Sequence, residues 1–321
     1  MLSPMTAAAH LAPTWPEIHD GHLEVAGRRV RVLRSAARGD GPGEPQLLVH
    51  GLGGSSITWV EVMAGLSASG PVVAVDLPGF GRTPVTPDDR SSIDGYVDFL
   101  LEVADALGWD RFTVHGNSMG GLIATLLAAR SPERVGRLVL VSPALPPSSP
   151  LRLLVPARAT LEGMVPIAVS SLSASALGLV GAGALLDERR NRHLLRLIFA
   201  EPNSIRPELL DLMAHEFTAA DAVEAADRRR ATRLATRSIA ALWTDPRRVW
   251  RAIDAVTAPT IVLGGTADAL VPARVLRQVL ARRTDWAGHV IDERRHALML
   301  ESPEEYLDLF DAWQHALTAA V

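Results

Sequence analysis

The sequence predicts an α/β fold: a mostly parallel sheet covered by helices on both faces and interrupted once by a long helical insertion. Three observations predict it. Short apolar runs without polar alternation recur at 46–50, 72–77, 112–115, 138–141 and 260–263, as expected of strands buried on both sides. Helical stretches lie between them, near 59–68, 96–107 and 119–130, and alternation of strand and helix implies right-handed crossovers within one sheet. The alternation stops after Pro143 and resumes at Thr260.

Along the chain, residues 1–21 carry prolines and histidines but neither a basic start nor an apolar run ending at a cleavage site, so they read as a poorly ordered lead-in and not as a signal peptide. Residues 22–34 alternate in period two around Gly27, the pattern of an antiparallel hairpin that opens the sheet. The helix near 96–107 has a cap candidate in Ser92 or Asp94. From 144 to 243 helical segments are broken by Pro146, Pro147, Pro150, Pro156, Pro166, Pro202 and Pro207. A hundred helical residues between two strands of one sheet make a poor crossover and a good lid. The expected division is therefore a core of 22–143 and 244–321 with a helical cap of 144–243. A helix near 249–255 leads back to the strand at Thr260. The run 288–292 is the last strand, and a final helix begins near Ser302 and Pro303.

The most informative segment is 112–130. An apolar strand runs into Gly116-Asn117-Ser118-Met119-Gly120-Gly121 and straight on into a helix. So tight a strand-to-helix turn forces its central residue into a strained conformation, and flanking glycines remove the side chains that would collide with it. Ser118 is thereby held out above the strand end. A serine hydroxyl is a poor nucleophile at neutral pH, so this turn calls for a histidine within hydrogen-bond reach and a carboxylate to orient it. Asp268 and His296 each follow a predicted strand and are the candidates. His289 is an alternative base, and Asp292 and Asp245 are alternative acids. His50 and Asp76 are expected to be structural, and His115 to pack in the core. Arg228, Arg229 and Arg230 are read as a solvated helix face.

Composition narrows the function further. With 48% hydrophobic and 21% charged residues and a net charge of −4, there is no electrostatic case for nucleic acid. All 32 Lys or Arg residues are arginine, and cysteine is absent, which excludes disulfides, thiolate nucleophiles and cysteine metal sites. The ten histidines show no paired metal-ligand spacing, and the glycines at 51, 53 and 54 lack the Lys-Ser/Thr ending of a phosphate loop. No metal and no cofactor is expected. The run 163–186 holds no charged residue, but Pro166 and its serines and glycines weaken a membrane span. It is expected instead to line a pocket or to touch a lipid surface transiently.

In the order Ser118, Asp268, His296, the chain resembles the α/β-hydrolase family from about Leu23 to the C-terminal helix. His50-Gly51-Leu52-Gly53-Gly54 after one strand and the 76–82 segment after the next agree with it, as does the helical cap. The resemblance implies that Ser118 attacks a carbonyl carbon, His296 takes its proton, and Asp268 holds the imidazole in its working tautomer. The backbone N–H groups of Leu52 and Met119, with Gly53 beside them, would form the oxyanion hole. Arg295 departs from the family's common Gly-His pair. The haloalkane dehalogenases and epoxide hydrolases, which the chain also resembles, place aspartate where Ser118 stands, so acyl transfer to water is the expectation. The apolar cap favours a small ester with an apolar acyl or alkyl group. The turn around Ser118 is also similar to that of the carbon–carbon bond hydrolases of aromatic ring-fission products. Against them stand Gly54 where they usually carry proline, and Ala297 where they carry tryptophan after the histidine. A perhydrolase, an acyltransferase or a ligand receptor on the same scaffold stays open. Without a targeting signal, the expected location is the cytoplasm.

Overall fold

The computed structural model describes residues 11, 14–38, 43–86, 89, 91–148, 196, 198–201, 205–218 and 222–319. Eight strands form one sheet: β1 (His19–Val25), β2 (Arg28–Ser35), β3 (Gln46–Val49), β4 (Val72–Val75), β5 (Phe112–Asn117), β6 (Val135–Val141), β7 (Thr260–Gly265) and β8 (Ala287–Ile291). Their spatial order is β1-β2-β4-β3-β5-β6-β7-β8. The opening hairpin β1–β2 and the β2–β4 pair are antiparallel, and every later pairing is parallel. The predicted hairpin and all the predicted core strands are present.

The central strands β3, β4, β5 and β7 are buried at every residue, which is why their sequences lack alternation. Helices cover both faces: α1 (Val60–Leu66), α2 (Ile93–Ala106), α3 (Met119–Arg130), α6 (Arg247–Ala255), α7 (Ala273–Arg282), the short α8 (Leu298–Glu301) and α9 (Pro303–Ala319). Ser92 caps α2, its hydroxyl accepting the Gly95 N–H at 3.2 Å. Ten of the twelve residues of α3 are buried, because it packs against β5 and β6 on one side and α2 and α6 on the other. Its near-uniform apolarity follows from that enclosure.

Between β6 and β7 the described residues form α4 (Pro207–Thr218), α5 (Ala222–Thr244) and α6. The uncharged run 163–186 lies outside the described residues. No helix among the described residues is long and apolar enough to cross a membrane. The N-terminal expectation needs correction, since β1 begins at His19 and Leu11, Trp15 and Ile18 are buried in the core that holds Trp59, Tyr306 and Phe310. Burying three such side chains is worth several kcal/mol (about 1.5–3 each), which outweighs the tendency of a terminus to fray.

Candidate active site

Ser118 sits between β5 and α3 with φ 53° and ψ −115°, a region that costs a non-glycine residue about 1–3 kcal/mol. Its surroundings enforce the turn. Its N–H donates to the Val141 carbonyl at 3.0 Å, and its carbonyl accepts from Ala144 at 2.9 Å and Gly121 at 3.0 Å. A Cβ on Gly116 would stand 2.3 Å from the Gly120 carbonyl oxygen, and one on Gly120 would stand 2.3 Å from that of Val49. Both glycines of the motif are therefore demanded by backbone contact.

The loop after β3 lies directly over this turn. A Cβ on Gly51 would be 3.1 Å from the Ser118 Cβ. Gly53 has φ 75°. Among the described residues the N–H groups of Leu52 and Met119 donate to no backbone carbonyl. His50 shapes this loop: its Nε2 accepts the Leu77 N–H at 3.1 Å, which leaves Nδ1 protonated to donate to the Gly51 carbonyl at 2.7 Å. Burial holds its pKa below the usual value, so the ring is neutral and structural, as expected.

Asp268 and His296 come together from the ends of β7 and β8. The N–H of Thr266 donates to Ile291 at 2.9 Å and that of Ala267 to Arg294 at 3.1 Å, lacing the two turns to each other. Gly265 is required there, because a Cβ would lie 1.8 Å from the Arg294 oxygen. His296 Nδ1 is 2.9 Å from Asp268 Oδ2. Asp268 Oδ1 accepts the N–H groups of Leu270 and Val271 at 2.8 and 2.9 Å. Burial pushes the Asp268 carboxyl up, but His296 and the Val271 amide outweigh it and hold it below the usual range. An ionised Oδ2 can only accept, so His296 Nδ1 is the donor in this contact.

Asn117 ties the histidine to the serine turn. Its Nδ2 donates to the His296 carbonyl at 3.1 Å and to that of Val141 at 3.2 Å. The sequence reading passed over this residue, whose signal is an amide inside an otherwise apolar buried strand end. It also passed over Arg31, a fully buried guanidinium on β2 that contacts Asp20, Asp76 and Glu216 of α4. His289, Asp292 and Asp245 are exposed. Asp76 is structural, accepting the N–H groups of Ser56 at 2.6 Å and Arg82 at 2.8 Å. His115 is buried, with Nε2 3.1 Å from Gln46 Oε1 and Nδ1 2.6 Å from the Tyr306 hydroxyl. Among the described residues no group of three or more His, Asp or Glu side chains is placed to hold a metal ion.

The family model described as "alpha/beta hydrolase fold" matches residues 45–303. The chain belongs to the alpha/beta hydrolase fold family. Among related sequences, the chain is 30% identical to a pimeloyl-[acyl-carrier protein] methyl ester esterase of Neisseria meningitidis over 270 residues, covering 82% of this chain and 90% of that protein. It is 39% identical to a 2-hydroxymuconate semialdehyde hydrolase of Pseudomonas sp. strain CF600 over 115 residues, 35% of this chain and 41% of that protein. The chain thus spans about two fifths of that relative's length in the match. Its fold is shared with a carboxylesterase of Bacillus subtilis at a TM-score of 0.68 and 19% identity, covering 96% of this chain and 95% of that one.

Proposed function

We propose that this hydrolase cleaves small carboxylic esters bearing an apolar acyl or alkyl group, through an acyl-enzyme on Ser118. The observation that carries the reading is the Asp268–His296 pair at 2.9 Å, tied through Asn117 to a serine held at φ 53°. Ser118 Oγ attacks the ester carbonyl carbon while His296 Nε2 takes its proton. The developing oxyanion is met by the N–H groups of Leu52 and Met119, with Gly53 giving the loop its turn. His296 then returns the proton to the departing alcohol. Water, deprotonated by the same nitrogen, attacks the acyl carbon and releases the acid and Ser118. Asp268 stays ionised throughout and stabilises the imidazolium that forms. Methyl ester cleavage by the Neisseria relative supports the ester substrate. The cap of 144–243, with its apolar segments, is the proposed cover of the acyl site, and transient contact with a lipid surface through it is part of the same reading.

A second reading is carbon–carbon bond hydrolysis of a ring-fission product, favoured by the 39% identity to the 2-hydroxymuconate semialdehyde hydrolase. The deciding experiment is steady-state hydrolysis of p-nitrophenyl esters from acetyl to palmitoyl by the wild type and Ser118→Ala, beside 2-hydroxymuconate semialdehyde. Ester turnover that is lost in Ser118→Ala supports the first reading, and the preferred chain length sizes the acyl site. Turnover of the semialdehyde alone replaces it with the second.

A further inference from the structure

The backbone around His296 is held by more than its Asp268 partner. Its N–H donates to the Ile198 carbonyl at 3.1 Å, and its carbonyl accepts from Asn117. Glu301, at the end of α8, uses both carboxylate oxygens on main-chain amides: Oε2 accepts the Arg295 N–H at 3.0 Å, and Oε1 accepts the Ala200 N–H at 3.2 Å. The Arg295 guanidinium reaches the Arg196 carbonyl. Residues 196 and 198–200, which belong to the helical insertion, are thus fastened at three points to the His296 turn and the end of α8 after it. Phe199, buried in the core, anchors them from the other side.

We propose that Glu301 and Arg295 are positioning residues that clamp the His296 turn against residues 196 and 198–200 and so hold the imidazole in line between Asp268 and Ser118. The inference rests on the reading of His296 as the general base. Arg295, the departure from the family's usual glycine before the histidine, gains a physical reason: its side chain makes one of the three links. Glu301 is the centre of the clamp because one rigid carboxylate spans the two segments, and each oxygen has one donor. A glutamine in its place offers one amide oxygen, and its NH₂ group faces an N–H that it cannot accept from. Misplacement of a catalytic group by about 1 Å costs on the order of a hundredfold in rate.

The test is Glu301→Gln, Glu301→Asp and Arg295→Gly, each measured in three ways: kcat and KM for the preferred ester, melting temperature, and the downfield proton resonance of the His296 Nδ1–H shared with Asp268. The expected result for Glu301→Gln is a fall in kcat of about tenfold or more with KM within twofold, and a broadened or lost Nδ1–H resonance at a temperature where the protein is fully folded. Arg295→Gly loses less, since the Arg295 amide remains, and Glu301→Asp, which keeps two acceptors, recovers part of the loss. An unchanged resonance and an unchanged kcat in Glu301→Gln would overturn the clamp. So would a loss of kcat that only tracks a lowered melting temperature. If the wild type turns over no ester, the ester reading fails on its own, while the resonance still decides for or against the clamp.

Discussion

Removal of the Arg31 side chain should cost this fold heavily for a single change of charge. It is fully buried. Its Nε and NH2 groups meet the Asp20 carboxylate at 2.8 and 3.2 Å, and NH1 lies 3.3 Å from Asp76 Oδ2, 3.2 Å from Glu216 Oε1 and 2.8 Å from Ser56 Oγ. Burial opposes the guanidinium charge, but the three carboxylates outweigh it and hold it protonated. In Arg31→Met, Asp76 keeps two backbone donors, whereas among the described residues Glu216 keeps only Arg82 at 3.4 Å. Breaking a buried charge pair from one side costs about 3–5 kcal/mol. We therefore expect a loss of about 4 kcal/mol at pH 7.5, read by urea denaturation, and a melting temperature lowered by about 8 °C at roughly 2 °C per kcal/mol for a chain of this size.

The pH dependence makes that expectation specific. Burial raises the Glu216 carboxyl above its usual range even with Arg31 present, so its ionisation opposes folding and acidification relieves the cost. Without Arg31 the upward shift grows, so acidification relieves more of the burial cost of Glu216 in Arg31→Met than in the wild type. After burial is set against its partners, led by Arg31, Asp76 is held below its usual value. Its contribution in the wild type is present above the unfolded value and is lost only as pH falls through the depressed one, well under pH 5. The gap between wild type and Arg31→Met should therefore narrow as the pH falls from 7.5 towards 5. A loss under about 1 kcal/mol at pH 7.5, or a gap of constant size, would refute the reasoning.

Other perturbations test separate parts of the structure. Asp268→Asn leaves an amide that cannot fix the His296 tautomer, and kcat for the preferred ester should drop by about 10⁴-fold with the fold intact by circular dichroism. Gly120→Ala would place a methyl group 2.3 Å from the Val49 oxygen and 2.7 Å from that of His50; we expect a loss of about 3 kcal/mol or more, or failure to fold, by thermal denaturation. Burial pushes the His115 imidazole down to about 3, below its unfolded value of about 6.5, so folding stability should fall by about 2 kcal/mol from this group between pH 7.5 and 5. A His115→Asn protein that melts cooperatively should lack that part of the pH slope, and an identical slope in both proteins would contradict it.

Much of the fold was legible because burial leaves a mark in one dimension. Strands covered on both faces have no polar position to show, so 46–50, 72–77 and 260–263 announced β3, β4 and β7 to within two residues. The turn at Ser118 was legible because its geometry admits only glycine at 116 and 120. Leu11, Trp15 and Ile18 were misread because what order a terminal segment finds depends on a surface that the rest of the chain creates.

By itself, then, the sequence determined the strand and helix alternation, the strained serine and the order of Ser118, Asp268 and His296 along the chain, since each depends on local backbone demands or on residue spacing. Only the tertiary structure decided that Asp268 and not Asp292 faces the histidine, that Asn117 holds its carbonyl and Glu301 the Arg295 amide before it, and that Arg31 joins β2 to Glu216, 185 residues further on. Hydrogen bonds and charge pairs between distant segments leave no periodicity in the chain. They are set by where the closed sheet brings strand ends and returning helices together.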